Sequence, residues 1–189
     1  MRKQVLFIQG GGNGGYKADA PLAASLQAAL GSGYQVHYPQ MLTDETTADF
    51  APQWLRQIGE QIAAAKDGLI LAGHSLGASL LVKYLSEHTV QTSIAGVFLV
   101  APAYWNGDQD WVLPLKLKDG FAERLPRDLP FYFYQCRDDA VVPFEHFLRY
   151  RQELPGAVFR ELEKGGHQLN DDLSVVAADI IHLTMHKSE

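Results

Sequence analysis

Along the chain, solid apolar runs alternate with stretches in which apolar residues recur every three or four positions. Residues 5–8 are an unbroken apolar run ending at the glycine-rich stretch 9–15, which reads as a buried strand followed by a loop. Residues 20–30 carry helical spacing, with Pro21 in the first turn and Gly31 just past the end, where those residues favour helix starts and stops. A second strand is predicted over 34–38, closed by Pro39, and a helix over 48–65 with Trp54, Leu55, Ile58 and Ile62 on one face. The run 69–72 reads as a third strand. It passes through Gly73-His74-Ser75-Leu76-Gly77 into a helix marked by Leu76, Leu80, Leu81, Tyr84 and Leu85.

Three further strands are predicted over 96–100, 129–135 and 158–162, with helices over about 144–154 and 173–185. Segment 104–127, which holds Trp105, Trp111, Pro114 and Pro126, shows no clear period and is expected as a loop or short helix rimming a site. Repeated strand-helix units whose strands are solid rather than alternating predict an α/β fold. Its doubly wound, mainly parallel sheet has about six strands in the order 2-1-3-4-5-6, with helices on both faces. Residues 1–189 are expected to form one domain.

Composition narrows the partners. The chain is 47% apolar and 20% charged, as expected of a soluble globular protein. A net charge of −6 argues against nucleic acid or an anionic membrane surface, both of which reward basic patches. Only four apolar residues follow the basic Arg2 and Lys3 before the first glycine loop, too few for a signal-peptide core. No stretch approaches the roughly 18 apolar residues of a membrane span. The lone Cys136 excludes an internal disulfide and suits a reducing compartment, so a cytoplasmic location is expected, with Cys136 as core packing.

The chemistry centres on residues 73–77. G-x-S-x-G between a strand and a helix is the setting of a nucleophile elbow: a serine on a tight turn at the end of the sheet, with the Leu76 N–H at a helix start. A serine hydroxyl needs a base, and the base needs an orienting acid. Such partners belong at the carboxyl ends of strands, in the chain order serine, acid, histidine. The fifth strand ends in Arg137-Asp138-Asp139-Ala140-Val141-Val142-Pro143, and the sixth is followed by Lys164-Gly165-Gly166-His167. His167 is the candidate base. Asp138 and Asp139 compete for the acid, the other being left to shape a turn or cap a helix. His74 is expected to point away from Ser75 and pack or hydrogen-bond beneath the elbow. His37, His88 and His146 fall on a strand and two helices. His182 and His186 are spaced i,i+4 on the last helix, but no carboxylate or cysteine is spaced to complete a metal site.

The first glycine loop carries a rival reading. Gly10, Gly12 and Gly15 satisfy G-x-G-x-x-G after a strand, as in a dinucleotide site. That reading also needs an acid at the end of the second strand, where the chain has Val36-His37-Tyr38-Pro39. A phosphate-loop ending is missing as well. The glycines instead suit an oxyanion loop, with the N–H of Gly11, or of its neighbour Gly12, facing that of Leu76. No cofactor is expected.

The elbow, the glycine loop, Asp-Asp-Ala-Val-Val-Pro-Phe and Gly-Gly-His-Gln together resemble an α/β-hydrolase. More narrowly, they are similar to compact serine hydrolases of the retinoblastoma-binding protein 9 type. The resemblance covers nearly the whole chain. It implies a Ser75, Asp139, His167 triad, because Asp139 matches the aspartate of an Asp-x-x-Val-Pro-like stretch, and a fold with a minimal lid. One departure is Gln9-Gly10, where many hydrolases have His-Gly. The expected activity is hydrolysis of a carboxylic ester on a small acyl substrate through an acyl-enzyme. Thioester or amide cleavage, or binding without turnover, are the alternatives. Trp105 and Trp111 are candidates for an apolar wall around the substrate or for a structural role.

Overall fold

A computed structural model describes residues 2–12, 14–42, 50–106 and 112–186, residue 186 by its backbone alone. Within them β1 (Lys3–Ile8), β2 (Tyr34–His37), β3 (Leu69–His74), β4 (Ile94–Val100), β5 (Phe131–Cys136) and β6 (Val158–Leu162) form one parallel sheet, in the order β2-β1-β3-β4-β5-β6. The order is the expected one. From β1 the chain steps outward to β2, then crosses back to β3 and winds the other way. The loops after β1 and β3 therefore part at a switch point, where such sheets bind ligands.

Burial follows sheet position. Every residue of β3 and β5 is buried, whereas the edge strand β2 alternates between half-buried and exposed. On one face Leu22, Leu26 and Leu30 of α2 (Ala20–Leu30), with Val176 and Ile180 of α7 (Ser174–His186), cover Val5, Phe7, Ile70 and Phe98. On the other, Trp54 and Ile58 of α3 (Phe50–Ala64), Leu80 and Leu81 of α4 (Ser75–Glu87) and Phe147 of α6 (Phe144–Glu153) cover Leu6, Ile8, Leu71 and Phe133. Odd and even residues of β1 go to opposite faces, as the two-residue strand period requires.

The glycine stretch does not end as loop. Gly15–Ala18 forms a short helix, α1, before α2. Segment 104–127 is more than a rim: Leu115, Leu117, Phe121 and Leu125 enter the core on the α3/α4 side, and Phe121–Arg124 is a single-turn helix, α5. These anchors are unevenly spaced, so no period announces them. Lys83 of α4 also fastens the segment, donating to the Lys116 carbonyl at 2.7 Å and to Glu87 at 2.7 Å. Trp111 and the predicted first turn of α3 at 48–49 lie outside the described residues. Among those described, no helix is long and apolar enough to cross a membrane.

Candidate active site

β3 delivers Ser75 to the switch point. His74 is still extended, and Ser75 opens α4 with φ 50°, a left-handed conformation that costs a non-glycine residue about 1–3 kcal/mol. The two flanking glycines allow it by different means. A Cβ on Gly73 would lie 2.9 Å from both the Ala78 nitrogen and Leu81 Cδ1, so this glycine lets the turn fold onto its own helix. A Cβ on Gly77 would collide with the Gln9 carbonyl and come within 2.7 Å of that of Ile8, so this one lets the end of β1 close against α4. Ser75 is half-buried, and its hydroxyl makes no hydrogen bond among the described residues. The Leu76 N–H lies in the first turn of α4, where backbone donors have no partner within the helix.

The acid and base candidates meet. Asp139 Oδ2 lies 2.8 Å from His167 Nδ1 and accepts from Gln135 Nε2 at 2.9 Å, while Oδ1 accepts the N–H groups of Val141 (2.8 Å) and Val142 (2.9 Å). The Asp139 side chain has 0% exposure and that of His167 14%. Burial pushes the Asp139 carboxyl upward, but His167 and the backbone N–H groups of Val142 and Val141 outweigh it and hold it below the usual range. Asp139 is thus ionised, so His167 Nδ1 donates to it. The other ring nitrogen, Nε2, has no hydrogen-bond partner among the described residues. Asp138 turns elsewhere, accepting the Gly166 N–H at 2.8 Å and that of Gly165 at 3.3 Å, and so shapes the loop before His167.

His74 does lie beneath the elbow. Its Nδ1 is 2.9 Å from Asp19 Oδ2, its Nε2 is 3.0 Å from the His167 carbonyl, and its ring centroid is 4.6 Å from that of His167. Asp19 also accepts the Gly10 N–H at 2.6 Å and Gln168 Nε2 at 3.1 Å. Gly10 is therefore occupied, and Gly11, half-buried, is the next N–H of the loop. Gln9 is buried and accepts the Met41 N–H at 3.0 Å, tying the loop to the segment after β2.

Sequence reasoning missed Asp19 and Gln135. Asp19 sits where a helix cap is expected, yet its side chain makes no cap bond to α2. Gln135 left a signal: a lone amide at the end of an otherwise apolar strand, four residues before Asp139. Trp105 packs half-buried against the core cluster of the α3/α4 side. His146 accepts the Tyr104 N–H through Nδ1 at 2.9 Å, and burial lowers its pKa. Burial pushes the Cys136 thiol up to about 11, aided by Asp138 and Asp139. Among the described residues no three His, Cys, Asp or Glu side chains gather as a metal site, and the His186 side chain lies outside them.

A family model described as "Serine hydrolase" matches residues 23–173, a span that includes Ser75, Asp139 and His167. No curated protein matches by sequence. Solved structures share the fold. The ydeN gene product from B. subtilis superposes with a TM-score of 0.74 at 19% identity, over 97% of this chain and 99% of that one. Est1E from Butyrivibrio proteoclasticus gives 0.72 at 14%, over 98% and 88%. A structure described with the metagenome-derived lipolytic enzymes LipS and LipT gives 0.70 at 17%, over 100% and 95%. At these identities the likeness is one of fold: a six-stranded parallel sheet with helices on both sides, as in α/β-hydrolases.

Proposed function

The chain belongs to the serine hydrolase family, and from that premise we propose that it cleaves carboxylic esters of small acyl substrates with Ser75, His167 and Asp139 as its triad. His167 Nε2 takes the Ser75 proton as Oγ attacks the acyl carbon, and Asp139 holds the imidazole and stabilises its charged form. The N–H groups of Leu76 and Gly11 receive the oxyanion, each worth roughly 3 kcal/mol in the transition state. His167 then protonates the departing alcohol. Water, deprotonated by the same imidazole, cleaves the acyl-enzyme and restores Ser75.

The observation that carries this reading is an imidazole with Nδ1 fixed on a buried carboxylate and Nε2 without a partner among the described residues, its ring 4.6 Å from that of His74, the residue before a serine on a left-handed turn. In unliganded sites the serine-to-histidine contact is often long and closes only with substrate bound. We also assign the chain to the compact hydrolases of the retinoblastoma-binding protein 9 type, as one domain over residues 1–189, working in the cytoplasm without a cofactor and without nucleic acid as partner.

The test is Ser75→Ala on a short-chain nitrophenyl ester. We expect kcat/KM to fall by at least about 10⁴-fold, to what oxyanion donors and binding alone supply. Wild-type turnover in the variant overturns the triad. If neither protein cleaves any ester, thioester or amide and neither is labelled by a fluorophosphonate, the fold serves binding instead.

A further inference from the structure

Beneath Asp139 and His167 lies a second acid–histidine pair that their chemistry does not use. Asp19 and His74 each have 2% side-chain exposure, and between them they join the Gly10 loop, the elbow and the His167 loop. Asp19 holds the Gly10 N–H, at the head of the oxyanion loop, and the side chain of Gln168, just past the base. His74 is the residue before Ser75, and its Nε2 meets the main-chain carbonyl of His167 itself.

The proton count on His74 follows from its neighbours. A carbonyl oxygen only accepts, so Nε2 carries a proton. Asp19 Oδ2 already accepts the Gly10 N–H, and burial, which favours the neutral acid, is outweighed by His74, Gly10 and Gln168, so Asp19 is ionised. Nδ1 therefore donates as well, so each ring nitrogen of His74 faces an acceptor. A buried ion pair is a poor way to gain stability, since a well-packed apolar pair of similar volume often does as well or better. What it supplies is direction: each of its bonds leads to a group that places a reacting atom. The backbone it restrains is strained, because Leu169 (φ 47°), Asn170 (φ 53°) and Asp171 (φ 56°) are all left-handed. Such strain persists only where the surroundings over-determine it.

We propose that Asp19 and His74 form one positioning unit for the hydrolysis assigned above, a charged clamp that locks the His167 main chain and the Gly10 loop to the elbow. Neither residue touches substrate. Their effect passes through the placement of His167 Nε2 and of the oxyanion donors, where an error of about 1 Å can cost on the order of 10²-fold in rate.

His74→Gln, Asp19→Asn, the double variant and Gln168→Ala test this. In each of the two single variants of the pair, kcat on the nitrophenyl ester should fall about 10- to 100-fold, with KM changed by less than about threefold. The double variant should be no slower than the slower single within about twofold, because the pair acts as a unit. Nitrogen-15 spectra of ring-labelled protein should show protons on both His74 nitrogens, and Asp19→Asn should remove the one on Nδ1. Folded single variants with wild-type kcat, losses that multiply, or a His74 with one ring proton overturn the proposal. Should the buried variants not fold, Gln168→Ala decides: kcat lower by roughly three- to tenfold at an unchanged melting temperature supports the clamp, and unchanged kcat overturns it. A wild-type protein without turnover sinks the hydrolase reading instead, and the His74 spectrum still reports whether the charged clamp exists.

Discussion

The molecule builds the same pair of groups twice, with the two imidazole rings 4.6 Å apart, and among the described residues only one of them keeps a ring nitrogen without a partner. Asp139–His167 and Asp19–His74 have bond lengths of 2.8 and 2.9 Å, and in both the carboxylate is held below its usual range. They differ at the far nitrogen. His74 is buried and its Nε2 is committed to a carbonyl, whereas His167 Nε2 has no partner among the described residues and its side chain is 14% exposed. An imidazole with both nitrogens engaged can orient its neighbours but cannot accept a proton. One with an acceptor site left open can exchange a proton with a hydroxyl beside it. Burial and bonding of the distal atom, rather than residue identity, separate the two roles.

The most severe way to break this contrast is to remove the outer pair. His167→Ala and Asp139→Asn should each lower kcat by about 10³- to 10⁴-fold, while melting temperatures stay close to wild type for His167→Ala. That is at least tenfold beyond the loss expected from the inner pair. Equal losses from both pairs in kinetic assays would erase the distinction.

Stability should run the other way. Removing one partner of a buried ion pair costs about 3–5 kcal/mol, so Asp19→Asn should destabilise at pH 7 more than Asp139→Asn, whose partner is part-exposed. The sign with pH follows from the lowered carboxyl. Its contribution is present above the unfolded aspartate pKa of about 3.9 and is lost as pH falls through the folded value below it. Urea unfolding from pH 7 to pH 3 should therefore show the gap between wild type and Asp19→Asn narrowing below about pH 4. A gap independent of pH would mean that Asp19 is not ionised in the folded protein.

Gly77→Ala separates the pairs by geometry. Its methyl would strike the Gln9 carbonyl and push the Gly10 loop off Asp19, whereas the atoms it meets first belong to Gln9 and Ile8 and not to Asp139 or His167. We expect a loss of about 1–3 kcal/mol by thermal unfolding and a fall in kcat with fluorophosphonate labelling slowed in parallel. Unchanged labelling would show that the loop position does not matter to attack by Ser75.

Much of the frame is legible in the sequence because its signals are local. Helix α2 begins and ends where Pro21 and Gly31 mark it, and the solid runs of β3 and β5 announce strands buried on both faces. Ser75 and His167 stand out because glycines bracket the one and precede the other at strand ends. What could not be read depends on side-chain direction and on distant contacts. Asp19 before Ala20-Pro21 looks like any helix cap, and only the arrival of His74 and Gln168 from far along the chain turns its carboxylate inward. The left-handed turn at Leu169–Asp171 has no glycine to betray it. The anchors of segment 104–127 follow no period because a single-turn helix and irregular backbone hold them.

Asp138 and Asp139 give the finest version of the contrast, since they are adjacent and chemically identical. At the end of β5 one carboxylate enters the sheet edge, where Gln135 and His167 wait, and the other stays at the surface on the N–H groups of Gly165 and Gly166. Asp138→Asn keeps an amide oxygen that can still accept the Gly166 N–H, so kcat should fall by no more than about threefold. Asp139→Asn keeps its shape too but presents an amide to the imidazole, which removes the charge that stabilises the imidazolium and leaves the ring in the wrong tautomer. Steady-state kinetics of the two variants side by side therefore compare one position in space at constant chemistry. If Asp138→Asn proves as damaging as Asp139→Asn, the firmness of the Gly165-Gly166 turn, and not the charge beside His167, limits the reaction.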